Sequence, residues 1–230
     1  MRYYPIFVNL QGKRCLVVGA GQVGRRKITG LAESGAAAIL VVDPGLPPEL
    51  AEQLSGLPAV TLAARPFAPD DLDDRFLVIA ATDDEEQNWT ISRECARRGI
   101  LCNIVDQPEK CSFIVPALFT QGELTVAIST GGGSPALARK IRQGLGEFLG
   151  GEYGTLLVLM GRLRPLVLDL GLGSPANAAI FRRLVDSKLI DALGRGDAQA
   201  AEAILRDILP AALADQASAL VSGALDHAGD

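Results

Sequence analysis

Three glycines at fixed spacing constrain this chain more than any other feature. Gly19, Gly21 and Gly24 separate an apolar run at residues 14–18 from a segment of helical spacing at residues 22–34. A strand that turns directly into a helix needs residues without a Cβ at the bend, because backbone must approach backbone there. Val23, Ile28 and Leu31 fall on one side of the helix, and Gly35 is placed to end it. The alternation then repeats. Apolar runs at 38–42, 60–64, 76–81 and 101–105 read as strands, and residues 48–54 and 85–98 read as helices between them. Pro44, Gly45, Pro47 and Pro48 mark a turn after the second strand. Near-continuous Val/Ile/Leu strands separated by helices predict a parallel sheet covered on both faces.

The rhythm changes near residue 112. Residues 112–116 and 118–120, the turn Gln121-Gly122 and an alternating run at 124–129 predict paired strands outside the parallel sheet. Ser134 and Pro135 then suit the cap and first position of a helix. Beyond it, residues 156–167, 177–193, 197–209 and 211–225 read as helices separated by Gly and Pro. The predicted class is α/β: a Rossmann-type parallel sheet, then a small strand-containing segment, to which the resemblance given below assigns dimerisation, then an all-helical C-terminal region. The expected boundaries are 1–113, 114–150 and 151–230.

Composition narrows the function. The 230 residues include one His, His227 in the tail, so His-paired nucleophiles and His-rich metal sites lack material. The four cysteines, Cys15, Cys95, Cys102 and Cys111, contain no C-x-x-C pair, and no metal site is expected. A net charge of −5 argues against nucleic acid as a partner. Neither a secretory signal nor an apolar stretch of about 20 residues is present, which predicts a cytoplasmic protein with no membrane partner.

In its strand-to-helix context, Gly19-x-Gly21-x-x-Gly24 predicts a dinucleotide site. The first glycine permits the turn, the second lets the pyrophosphate approach, and the third lets helix and strand pack. Asp43 follows at the spacing of about 20 residues where a carboxylate bonds the adenosine ribose and repels a 2′-phosphate, which favours NAD. It can instead simply begin the Pro-rich turn. Thr82, at the end of the fourth strand, is a candidate for lining the cofactor, and Asp84 is a helix cap. Arg25 and Arg26 fall where side chains commonly face solvent.

If hydride transfer needs a proton acceptor, a carboxylate is the best remaining candidate. Tyr153 has Leu157 four residues on, so the Tyr-x-x-x-Lys arrangement is absent. Asp106 ends the fifth strand on the edge that faces the ligand crevice, where partial burial would raise its pKa. An Asx-turn before Pro108 is the equal alternative. A dehydrogenase acting on another substrate, and a dinucleotide-sensing regulatory module, are the rival functions. Such a module needs neither a crevice base nor the hydroxyl-rich loop at 129–135.

Six segments taken together carry a family resemblance. They are Tyr4-Pro5-Ile6-Phe7; residues 17–24 with Arg26 and Lys27; residues 80–84; Asn103-Ile104-Val105-Asp106; residues 112–116; and residues 128–135 with Ala138 and Arg139. In these the chain resembles the siroheme-synthase dehydrogenase family, the precorrin-2 dehydrogenases, some of which are also sirohydrochlorin ferrochelatases. The resemblance implies NAD-dependent oxidation of precorrin-2, a tetrapyrrole, to sirohydrochlorin, with chelation possible and weak. It makes Asp106 the catalytic base. Gln22 and Val23 match the pyrophosphate positions, and Asp43 and Pro44 the ribose side. Asn103, Ser129, Thr130, Gly131, Gly132, Ser134 and Arg139 are the expected substrate contacts. Thr130 departs from the Ser-Ser-Gly-Gly of bifunctional members. Backbone amides of residues 131–134 and Arg139 would offset the acidity of the chain toward a polycarboxylate. A homodimer and, with no methyltransferase segment in view, a stand-alone form are also implied.

Overall fold

The computed structural model describes residues 3–46, 48–54 and 56–227, and it divides into two compact units, Met1–Val115 and Pro116–Asp230. The expected segments 114–150 and 151–230 fall together in the second unit, apart from residues 114 and 115. Pro47 of the expected turn lies outside the described residues.

In the first unit, the chain runs β1 (Arg14–Val18), α1 (Gln22–Glu33), β2 (Ala38–Val42), α2 (Pro48–Gln53), β3 (Val60–Ala63), β4 (Leu77–Ala80), α3 (Glu85–Arg98) and β5 (Leu101–Ile104). All neighbouring strands are parallel, in the order β3-β2-β1-β4-β5. Side chains alternate across the sheet, so each strand feeds two cores. Cys15, Val17, Ile39 and Val41 pack with Ile28 and Leu31 on one face. Leu16, Val18, Val78 and Ala80 pack with Ile91 and Cys95 on the other. Each fully buried aliphatic side chain contributes about 1.5–3 kcal/mol. Burying both faces accounts for the unbroken apolar runs.

Strand order reverses between β1 and β4, and there the connections leave the sheet in opposite directions and open a crevice at the carboxyl ends. β1 delivers the glycine loop to this point, β2 delivers Asp43, and β4 delivers Thr82. A 3₁₀ turn at Pro69–Leu72, not foreseen from the sequence, is held by Asp71. The Asp71 carboxylate accepts bonds from Arg65 at 2.8 and 2.5 Å and from the Ala68 N–H at 2.8 Å.

The second unit opens with an antiparallel pair, β6 (Ala117–Gln121) and β7 (Leu124–Ile128). α4 (Pro135–Phe148) packs on it, followed by α5 (Gly151–Asp169), α6 (Ser174–Val185), α7 (Leu189–Gly194), α8 (Ala198–Ile208), α9 (Ala211–Ala214) and α10 (Ala217–His227). Leu159, Leu163, Leu184, Leu189, Leu205 and Val221 form its core.

Three helical expectations are corrected. α5 begins at Gly151 rather than 156. The single helix expected over 177–193 is two, because the Ser187 hydroxyl donates to Leu184 O and accepts from Leu189 N–H, ending one helix and starting the next. The helix expected over 211–225 also breaks, at Asp215 and Gln216, where Gln216 N–H bonds Leu213 O in a single turn.

Candidate functional site

The three glycines have three different physical reasons. Gly19 is buried with φ +91°, and an added Cβ would lie 2.5 Å from Ala81 O. A Cβ on Gly24 would fall on the Gly19 carbonyl oxygen, so α1 can approach β1 only without it. Gly21, the N-cap of α1, has φ −63°, and a Cβ there would meet no protein atom within 4 Å. No steric contact within the protein therefore requires glycine at position 21, although glycine suits an N-cap better than alanine. The open space beside it leaves room for a molecule lying against the loop, as a dinucleotide cradle needs. Gln22 and Val23 follow as the first turn of α1, where amides lack partners within the helix.

The Asp43 carboxylate clamps this loop. It accepts from the Ala20 N–H at 2.6 Å through one oxygen and from the Gly45 N–H at 2.7 Å through the other. Asp43 thus begins the turn through Pro44 and at the same time fixes the glycine loop, with its negative charge held at the end of β2. Arg25 braces the loop from behind, donating through Nε to Ala20 O at 3.1 Å and through its guanidinium to Gln53 at 3.2 Å. It does not simply face solvent as expected.

Thr82 packs its methyl group against Gly19, with Cγ2 3.1 Å from an ideal Cβ there. Its hydroxyl lies 2.8 Å from the buried Asn88 Oδ1, to which it donates, and Asn88 Nδ2 returns a bond to Thr82 O at 3.0 Å. Asp84 caps α3, accepting from Gln87 N–H at 2.9 Å. Asn88 is a supporting residue that the sequence reading missed. Its position one turn into α3, below a Thr-Asp-Asp end, is the signal that could have found it.

Asp106 sits just beyond β5 in a left-handed conformation, φ +60°. It is exposed rather than partly buried, and among the described residues no hydrogen bond engages its carboxylate. The Asx-turn alternative is therefore not formed. Lys27, half-buried on α1, lies within the electrostatic reach of Asp106. Burial and the neighbouring Arg26 push the lysine pKa down, and the Asp106 charge pulls it back up. Asn103 is buried, and its amide donates to Phe113 O at 3.1 Å and toward Cys111 Sγ at 3.5 Å. Its side chain thus supports the turn that carries Asp106.

In the second unit, the 129–135 loop is built around Thr130. The Thr130 hydroxyl accepts from Ser134 N–H and donates to Ser134 O, both at 3.1 Å. Ser129 accepts from Gly131 N–H, Thr130 O accepts from Gly133 N–H, and the Ser134 hydroxyl caps Leu137 N–H. Most of the amides expected to meet an anion are thus bonded within the loop. Gly132 N–H has no such bond among the described residues. Arg139 is exposed and forms no ion pair among them.

A parallel sheet with this strand order, a glycine loop at its reversal point and an acid closing β2 defines a Rossmann-type dinucleotide-binding protein. An NAD(P)-binding family model matches residues 6–117, and a model described as sirohaem biosynthesis protein central matches residues 121–146. The siroheme synthase of Thioalkalivibrio sulfidiphilus is 38% identical over 213 residues, covering 93% of this chain and 43% of the relative. That of Nitrosomonas europaea is 36% identical over 209 residues, covering 91% and 44%. A solved precorrin-2 dehydrogenase, SirC, superposes with a TM-score of 0.70 at 25% identity, covering 87% of this chain and 100% of that one. Along most of its length the chain is similar to the N-terminal part of siroheme synthases and to a precorrin-2 dehydrogenase. It spans less than half the length of the curated relatives it matches.

Proposed function

We propose that this chain oxidises precorrin-2 to sirohydrochlorin with NAD as oxidant. The observation that carries the reading is Asp106, whose carboxylate no hydrogen bond engages among the described residues, on the same sheet edge as the glycine loop. Similarity to siroheme synthases and to SirC supports the substrate. The residues present fit a dinucleotide: Gly19 and Gly24 shape the loop, Gly21 leaves its outer side open, and Gln22 and Val23 offer helix amides to the pyrophosphate. Asp43 and Pro44 take the ribose side, and Thr82 lines the base of the loop. The Asp43 charge disfavours a 2′-phosphate, which selects NAD over NADP. Bound NAD supplies the hydride acceptor. Asp106 accepts the proton that leaves the substrate and passes it to solvent, to which it is open. Gly132 N–H and Arg139, with the loop hydroxyls of Ser129, Thr130 and Ser134 holding its shape, are assigned to substrate carboxylates.

The reading extends to a homodimer in the cytoplasm. α4 leaves Leu137, Ile141 and Phe148 exposed along one side at 49%, 41% and 72%, a patch that a second copy would cover. None of the cysteines forms a disulfide, and among the described residues no helix is long and apolar enough to cross a membrane. The test is incubation with precorrin-2 and either NAD or NADP, following reduced cofactor and sirohydrochlorin absorbance. Product with NAD, and much less with NADP, is expected. Absence of both product and reduced cofactor ends the reading.

A further inference from the structure

Asp106 stands at the tip of a loop that leaves β5, forms a 3₁₀ turn at Pro108–Lys110 and returns along the strand. β5 is the edge strand of its sheet, so the backbone groups on its outer side have no neighbouring strand. The returning segment satisfies them in turn. Ser112 serves residue 102: its hydroxyl contacts Cys102 N at 2.8 Å, and its N–H donates to Cys102 O at 2.9 Å. Cys111 serves residue 104. Its sulfur lies 3.1 Å from Ile104 N and 3.2 Å from Ile104 O. The same sulfur lies 3.2 Å from Gln107 O, and the Asn103 amide points at it from 3.5 Å. Ser92 on α3 closes the loop from outside by donating to Lys110 O at 2.8 Å.

One sulfur therefore touches backbone both before Asp106, at Ile104, and after it, at Gln107. A thiol has one weak donor and weak acceptor capacity, which suits this position. It accepts the Ile104 N–H and the Asn103 amide and gives its proton to one of the two carbonyls. Between those contacts the chain passes through Asp106 at φ +60°, a conformation less favourable for a residue with a Cβ, in a turn that a Gln107 N–H bond to Ile104 O at 3.4 Å also closes. We infer that Cys111 is the positioning residue of Asp106: its sulfur bridges the backbone on both sides of the aspartate and fixes the left-handed turn that presents the carboxylate.

This assignment rests on Asp106 being the base. The test compares Cys111→Ala, Cys111→Ser, Asp106→Asn and the Asp106→Asn/Cys111→Ala double variant, measuring kcat, both KM values, NAD affinity and Tm. Cys111→Ala should lower kcat about tenfold or more while NAD affinity stays within about twofold, because a barrier change of about 1.4 kcal/mol is tenfold. Cys111→Ser keeps a donor and an acceptor and should recover most of the rate. In the Asp106→Asn background, Cys111→Ala should have no further effect on the residual rate, whereas a purely structural role would lower both backgrounds alike. If Cys111→Ala fails to fold, the serine variant against wild type, at equal NAD affinity, decides. Wild-type kcat in Cys111→Ala beside an inactive Asp106→Asn overturns the inference alone, as does a serine variant as slow as the alanine one. A fully active Asp106→Asn overturns the underlying reading together with it.

Discussion

Alanine at each fingerprint glycine should separate folding from binding. Gly24→Ala replaces a residue inside α1, where alanine is worth about 1 kcal/mol of helix propensity over glycine. The new methyl group would fall on the Gly19 carbonyl oxygen, a backbone atom that cannot rotate aside. Overpacking costs about 1–3 kcal/mol in a well-packed site, and more where backbone must move, so a net loss of about 2 kcal/mol or more remains. Gly30→Ala, on the same helix, meets nothing within 4 Å and should gain about 0.5–1 kcal/mol. Gly19→Ala combines a contact at 2.5 Å with φ +91° and should cost about 2–5 kcal/mol. Gly21→Ala meets no protein atom but is a poorer N-cap, so its stability should fall by no more than about 1 kcal/mol. Its methyl group occupies the side from which the pyrophosphate approaches, so NAD affinity should fall about tenfold or more, that is, by at least about 1.4 kcal/mol. Urea unfolding gives the stabilities, and calorimetric titration with NAD gives the affinities. A Gly21→Ala variant with wild-type NAD affinity would refute the assignment of the open side to the cofactor. Equal stabilisation by Gly24→Ala and Gly30→Ala would refute the packing argument.

Three further outcomes test other parts of the account. The Arg65 guanidinium and the Ala68 N–H hold the Asp71 carboxyl below its ordinary range, so its stabilisation is present above about pH 4 and disappears as pH falls through the lowered value. Asp71→Asn should therefore cost about 1.5–3 kcal/mol at pH 7, with the deficit shrinking in acid; a pH-independent deficit in urea titrations would contradict this. Lys27 is pushed down mainly by burial, so the folded state binds its proton less tightly than the unfolded state. Stability should then rise with pH toward about 10, and Lys27→Met should raise Tm at pH 7 with a gain that fades in alkali; a lower Tm at pH 7 is the opposing result. Arg139→Ala should raise the apparent KM for the tetrapyrrole about three- to tenfold, for an exposed contact of about 1 kcal/mol, and leave the KM for NAD unchanged. Equal rises in both would remove Arg139 from substrate binding.

The first unit was largely legible because its signals are local. Apolar runs of strand length, glycines at a strand-to-helix junction and acids at strand ends each carry a position as well as a type. Strands and loops followed from them to within a residue or two. The site's scaffolding was not legible. Arg25 reaching back to Ala20, Asn88 holding Thr82 and Cys111 bridging Ile104 and Gln107 are side-chain bonds to backbone several residues away, and composition does not reveal them. The exposure of Asp106 was missed because burial was inferred from strand position, whereas the carboxylate sits one residue past the covered edge. In the helical unit, a continuous apolar period concealed the break at Ser187, where a single hydroxyl outweighs the periodicity. In the 129–135 loop, residue types alone did not reveal that three amides are bonded to Ser129 and Thr130 within the loop itself.

The most direct test of the central claim is single-turnover oxidation by wild type and Asp106→Asn. Enzyme in excess is mixed anaerobically with precorrin-2 and NAD, and NADH and sirohydrochlorin are followed together. Wild type should form the two products in equal amounts. Asp106→Asn, with unchanged NAD affinity, should be slower by about 10²–10⁴, the usual contribution of a general base. Wild-type rates in the Asp106→Asn variant, or NADH formed without sirohydrochlorin, would contradict the account.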